Sequence, residues 1–152
     1  MLADPETIRQ ARWPHNLALL ERARAACGHV ALATMSHCAQ VRRVLSILDL
    51  SDAFDLVATR DDVERGKPDP EIYLMVAEQL AIPPGQWLCI EDSPAGVTAA
   101  LAAGMRCVAV ATPFTRERLH AEGVIDARWI VDDPSRLLHV VDAILEEEGT
   151  TR

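Results

Sequence analysis

A chain of 152 residues with 49% hydrophobic and 25% charged side chains is long enough for one domain with a real core and too short to expect two. Its net charge of -8 excludes the usual nucleic-acid or anionic-membrane surface, since those partners are held by Lys and Arg clusters and Arg42-Arg43 is the only adjacent basic pair. No run reaches the roughly 18 apolar residues of a membrane span, and the first residues lack a basic stretch followed by an apolar one, so the expected address is cytoplasmic.

Residues 1–12 are polar without a clear period and read as an arm, with Trp13-Pro14 as punctuation. His15 to Cys27 reads as a helix carrying Leu17, Leu20 and the Arg24 stem, closed by Gly28. Val30 to Ala33 is a short apolar run, too brief for a helix, ending in the polar turn Thr34-Met35-Ser36. From Ala39 to Leu48, the positions Val41, Val44, Leu45 and Leu48 fall at i, i+3, i+4 and i+7, the pattern of an amphipathic helix. Leu56 to Ala58 is a second strand, and a polar loop follows from Thr59 to Asp69.

Asp69 as N-cap and Pro70 at the first helical position start a helix to about Ala81, burying Ile72, Met75, Val76 and Leu80. Pro83-Pro84-Gly85 stops it. A third strand, Trp87 to Ile90, delivers Glu91-Asp92, and Ser93-Pro94 opens a small-residue helix to Ala103 that closes on Gly104. A strand at Cys107 to Val110, a helix at Arg116 to Glu122, a strand at Trp129 to Val131 and a helix from Ser135 to about Glu148 complete the order. Cys27, Cys38, Cys89 and Cys107 show no C-x-x-C spacing, and Cys89 and Cys107 lie in strand candidates as small core residues.

Strand and helix alternate, and the strands are continuous apolar runs, which predicts an α/β fold with a mostly parallel sheet covered by helices on both faces. In such open sheets the active crevice lies at the carboxyl ends of the strands. Thr34 and Ser36 follow the first strand, Lys67 lies in the loop after the second, Glu91-Asp92 follow the third, and Thr112 follows the fourth. Hydroxyls, an ammonium and two carboxylates suit a phosphate ester bound with Mg2+: hydroxyls and Lys hold the phosphate, and hard carboxylates hold the cation. A plainer role stays open for each. Thr34 or Ser36 can cap the next helix, Gly66 to Pro70 can be a solvated turn, and the acids can face water.

Leu32-Ala33-Thr34-Met35-Ser36, Gly66-Lys67-Pro68-Asp69-Pro70-Glu71-Ile72-Tyr73 and Cys89-Ile90-Glu91-Asp92-Ser93-Pro94-Ala95-Gly96 resemble, in order, motifs II, III and IV of the haloacid dehalogenase (HAD) superfamily. The similarity is closest to the branch of β-phosphoglucomutase and phosphoglycolate-phosphatase-like enzymes and spans Trp13 to the C-terminus. It implies a three-layer α/β/α Rossmann-like core and Mg2+-dependent phosphoryl transfer from a small phosphorylated metabolite. By the same resemblance Thr34 binds the phosphoryl group, Lys67 neutralises it and orients the nucleophile, and Asp92 with Glu91 holds Mg2+. Ser36 and His37 line the substrate side.

The resemblance stops at motif I, D-x-D-x-T/V, whose first Asp accepts the phosphoryl group and whose second is the general acid and base. Asp4-Pro5-Glu6 has no strand before it and the wrong residue at the second acid, and Asp132-Asp133 lacks the spacing. The helical cap between motifs I and II has no counterpart either. Residues 1–12 are therefore expected to be an arm or a cap-linker remnant and 13–152 the C-terminal portion of a HAD-like core, a truncated product or a fragment, weakly active or inactive alone. The family places the motif I strand between those ending at Ala33 and Ile90. Those two are expected to pair directly, to take a strand from another chain as a homodimer or by strand exchange, or to leave backbone groups unpaired. A non-catalytic HAD-like binding domain is the alternative. A phospho-receiver domain fits less well, because Thr34 and Lys67 precede the acids.

Overall fold

The computed structural model describes residues 4–11 and 14–149; Trp13, with its expected punctuation, and the outer residues of the expected arm lie outside them. Helix α1, Pro5–Gln10, forms where no element was expected. The Asp4 carboxylate accepts from the backbone N–H groups of Glu6 and Thr7, and Pro5 supplies the first helical φ, so local capping and not an apolar stripe makes this helix.

Helix α2, Pro14–Ala26, begins and ends one residue before its expected span, and its buried side chain is Leu19, with Leu17 and Leu20 only half-buried. Two leucines and an arginine stem were too few to phase the helix. Strand β1 (Ala31–Ala33), helix α3 (Cys38–Ile47) and strand β2 (Leu56–Ala58) follow, and α3 buries Val41 and Leu45 as its period requires. Helix α4, Glu71–Gln79, begins one residue later than expected, with Pro70 at the cap; Asp69 still serves the turn by accepting from the Glu71 N–H at 3.0 Å. Strand β3 is Leu88–Glu91, so Glu91 is the last strand residue and not the first one after it.

Helix α5, Pro94–Ala102, is capped by the Ser93 hydroxyl, which accepts from the Gly96 N–H, and the chain leaves it through Gly104 at φ +81°. Strand β4 (Arg106–Val110), helix α6 (Arg116–Glu122), strand β5 (Ile130–Val131) and helix α7 (Leu137–Gly149) complete the fold.

All strand pairs are parallel, as expected, but they form two sheets: β1 with β2, and β3, β4 and β5 in that order. Strand β4 shows why helices cover both faces. Cys107 and Ala109 enter one core with Ile72, Val76, Val97 and Leu119, while Val108 and Val110 enter the other with Leu19, Leu137 and Val141. Each fully buried aliphatic side chain there contributes about 1.5–3 kcal/mol. Strands β1 and β3 do not pair, and a cavity of about 1150 Å3 lies between their facing edges.

Candidate active site

A chain of polar ties builds the loop after β2 and delivers Lys67 to the carboxyl ends of the strands. The buried Thr59 caps a 3-10 turn at Arg60–Asp62, exchanging bonds with Asp61 and Asp62, and the Arg60 guanidinium donates to the Val63 carbonyl at 2.6 Å. The Glu71 carboxylate, at the start of α4, gathers the backbone N–H groups of Glu64 at 2.8 Å and Arg65 at 3.0 Å. Those bonds, with the Arg65 guanidinium, hold the Glu71 carboxyl below its ordinary value. Gly66 packs under the Met35 sulfur, which also accepts from the Lys67 N–H at 3.4 Å.

The Lys67 ammonium therefore arrives at a fixed place. It donates to the Ala33 carbonyl at 3.2 Å and to Glu91 Oε1, and lies 4.8 Å from the centre of the Tyr73 ring. The Tyr73 hydroxyl donates to the same Glu91 oxygen. Lys67 and Glu91 side chains are 10% and 8% exposed, so this is a buried ion pair and not a surface one. Burial first, and the Glu91 charge second, push the Tyr73 hydroxyl above its ordinary value, which keeps it a proton donor to Glu91. The same causes push the Cys89 thiol up to about 12, and burial likewise raises Cys107, so both are neutral core residues as expected.

Gly96 explains how Glu91 keeps its orientation. A Cβ at this position would overlap the Glu91 carboxyl group, so only glycine lets the first turn of α5 close over it.

Thr34 stands half-buried at the end of β1, its N–H bonded to the Ala58 carbonyl and its hydroxyl accepting from the Ser36 N–H at 3.1 Å. Lys67 reaches the carbonyl of the residue before it, so Thr34, Lys67 and Glu91 share one edge. His37 sits further out: its Nδ1 is 2.6 Å from Asp61, whose other oxygen accepts from the Cys38 N–H at 2.7 Å. The His37 bond, followed by the Cys38 N–H, lowers the Asp61 carboxyl below its ordinary range. Asp92 is exposed, and no donor among the described residues reaches its carboxylate. Thr112 belongs to its own turn, bonding the Thr115 hydroxyl at 2.9 Å and accepting from Phe114 and Thr115 N–H groups.

No group of three or more His, Cys, Asp or Glu side chains among the described residues is arranged to hold a metal. Mg2+ nevertheless needs only one or two carboxylates when substrate oxygens and waters fill its other positions. Asp92, free and exposed, fits that need. Glu91 faces the other way, with one oxygen taken by Lys67 and Tyr73 and the carboxyl group packed on Gly96. Tyr73, Glu71, Asp61 and Gly96 were given no role by sequence reasoning. For Tyr73 a signal existed, since a tyrosine among the buried positions of a helix needs a partner for its hydroxyl.

The parallel α/β fold thus brings a buried Lys–Glu pair, a threonine and an exposed aspartate to one set of strand ends. Over residues 10–110 the sequence matches the haloacid dehalogenase-like hydrolase family, and the chain belongs to that family. The validoxylamine A 7'-phosphate phosphatase of Streptomyces hygroscopicus is 38% identical over 96 residues, 60% of this chain and 45% of that protein. The phosphorylated carbohydrates phosphatase of Thermotoga maritima is 45% identical over 76 residues, 50% of this chain and 35% of that protein. Among solved structures, β-phosphoglucomutase from Clostridium difficile superposes with a TM-score of 0.73 at 26% identity, covering 97% of this chain and 64% of that one. The chain thus spans less than half the length of these two curated relatives.

Proposed function

We propose that the chain carries the phosphate- and Mg2+-binding half of a phosphatase or phosphomutase site for a small phosphorylated metabolite. The observation that carries this reading is the Lys67 ammonium, buried and held by Ala33 and Glu91 at the edge where Thr34 ends its strand. In this reading the Thr34 hydroxyl and neighbouring N–H groups bind phosphoryl oxygens, and Lys67 neutralises their charge. Asp92 is the carboxylate facing the cation, and Glu91 acts through Lys67 by fixing its position. Ser36 and His37 border the substrate, His37 oriented by Asp61. Bound Mg2+ would supply charge neutralisation on the phosphate; the protein groups bind and orient.

The 152 residues contain no D-x-D pair, so they hold no carboxylate nucleophile at the position the family uses. By themselves they are expected to turn over phosphate esters far below normal enzyme rates. Hydrolysis of p-nitrophenyl phosphate with Mg2+ at ordinary enzyme rates, lost in Lys67→Ala, would overturn that expectation. The missing pair also favours a second reading, a non-catalytic binding domain that keeps the fold. Binding of Mg2+ and phosphate separates the two: a preserved site binds both in a manner that needs Asp92, and a pure scaffold binds neither.

A further inference from the structure

Three sulfur atoms meet in the core below the strand ends. Cys89 of β3 and Cys107 of β4 are direct register partners in a parallel pair, so their side chains leave the sheet side by side on one face, about 4.8 Å apart at their roots. Met105, two residues before Cys107, turns into the same core, and its Sδ lies 3.3 Å from the Cys89 Sγ. All three side chains are buried, in one apolar cluster with Ile72, Val76 and Val97. Packing alone does not call for sulfur here. Val108 and Ala109 fill neighbouring positions of β4, and either residue type would serve as well at position 107 if burial were the whole role. What the three side chains share is soft donor character.

We propose that Cys89, Cys107 and Met105 form a three-sulfur site for one Cu+ ion. Thiolate and thioether sulfur select soft cations, and the members of this set choose among them. Zinc asks for four ligands, usually thiolates and imidazoles, and iron–sulfur clusters ask for four cysteines; here there are two cysteines and a neutral thioether. The spacing also fits. With metal–sulfur bonds of about 2.3 Å, three sulfurs around a trigonal ion stand about 4 Å apart. Side chains rooted one strand spacing apart reach that separation without backbone movement. Met105 has to withdraw from its present contact by less than about 1 Å, which its three rotatable bonds permit. The ion takes the place of one thiol proton, which leaves to solvent, so the buried centre gains no net charge. The second thiol and the thioether complete the coordination as neutral donors. Cys89 and Met105 also line the cavity between the two sheets, which gives the ion its route in. The site uses no residue of the phosphate reading above and does not rest on it.

The test uses the reduced 152-residue chain, without oxygen, and its Cys27→Ala with Cys38→Ala variant, in which only the core thiols remain. Each is titrated with Cu+ in competition with the chelator bathocuproine disulfonate, and the copper-loaded protein is studied by X-ray absorption at the copper edge. Both proteins are expected to take one Cu+ per chain with three sulfur neighbours, unaffected by excess Mg2+. Met105→Leu, which keeps the side-chain volume, is expected to weaken Cu+ binding by about tenfold or more and to leave two sulfur neighbours. Cys107→Ala is expected to abolish retention against the chelator; should that variant fail to fold, the sulfur count of the parent and the Met105→Leu affinity still decide. Loss of copper in the Cys27→Ala, Cys38→Ala variant overturns the proposal by placing the ion on the outer thiols. Nitrogen or oxygen neighbours in place of sulfur, or an unchanged affinity in Met105→Leu, overturns it as well.

Discussion

Lys67→Met removes one half of a buried ion pair and leaves the other. The two side chains are 10% and 8% exposed, so water cannot replace the lost ammonium, and Glu91 is left with the Tyr73 hydroxyl as its donor. Breaking a buried pair by removing one partner costs about 3–5 kcal/mol, against a whole-domain stability of about 5–15 kcal/mol. With a urea m-value of about 1–3 kcal/mol per M, the midpoint at neutral pH is expected to fall by roughly 2 M. The double variant Lys67→Met with Glu91→Gln removes the stranded charge while the Gln carbonyl still accepts from Tyr73. It should recover at least half of that loss, which separates a buried charge from lost packing. A cost for Lys67→Met under about 1 kcal/mol, the range of exposed pairs, would refute the buried geometry from which the site is argued.

Tyr73→Phe deletes a donor to a buried carboxylate and is expected to cost about 1.5–3 kcal/mol in the same denaturation assay; a neutral result would mean that Glu91 does not depend on the hydroxyl. Gly96→Ala puts a methyl group into the Glu91 carboxyl, and overpacking of this kind costs about 1–3 kcal/mol; an unchanged melting temperature would contradict the contact. The Glu71 carboxyl is lowered in the folded chain by the Glu64 and Arg65 N–H groups, so its stabilisation is complete above the ordinary value of 4.5 and is lost as pH falls below it. Glu71→Gln should therefore be less stable than the parent at neutral pH, with the gap closing in acid. A gap that is constant or widens in acid contradicts the assignment.

Much of this fold could be read from the chain because its signals are local. Val41, Val44, Leu45 and Leu48 phased α3 correctly, and Ser93-Pro94 and Gly104 marked both ends of α5. The Asp4-Pro5 start of α1 was equally visible as a cap, but a search for apolar period passes over it. Strand β3 ran one residue further than its apolar run, because the buried Lys67 compensates Glu91 inside the sheet; a residue-by-residue hydropathy reading has no access to that distant partner. The division into two sheets was one of the outcomes expected of the strands ending at Ala33 and Ile90. Choosing among those outcomes required the actual backbone, since pairing between distant strands leaves no local trace. The site was legible as a set of strand-end residues. What the sequence hid was their orientation: Glu91 inward to Lys67 and Tyr73, Asp92 outward.

The central claim is that these strand ends hold phosphate and Mg2+ together, and a thermal unfolding titration with inorganic phosphate and MgCl2 tests it most directly. At a hundredfold excess over the dissociation constant, binding adds about 2.7 kcal/mol, or roughly 5–10 °C in the melting temperature of a chain this size. The account predicts that rise with both ligands present, a much smaller one with either alone, and its loss in Asp92→Asn and Thr34→Val. No rise with both ligands, or an equal rise in Asp92→Asn, would contradict it.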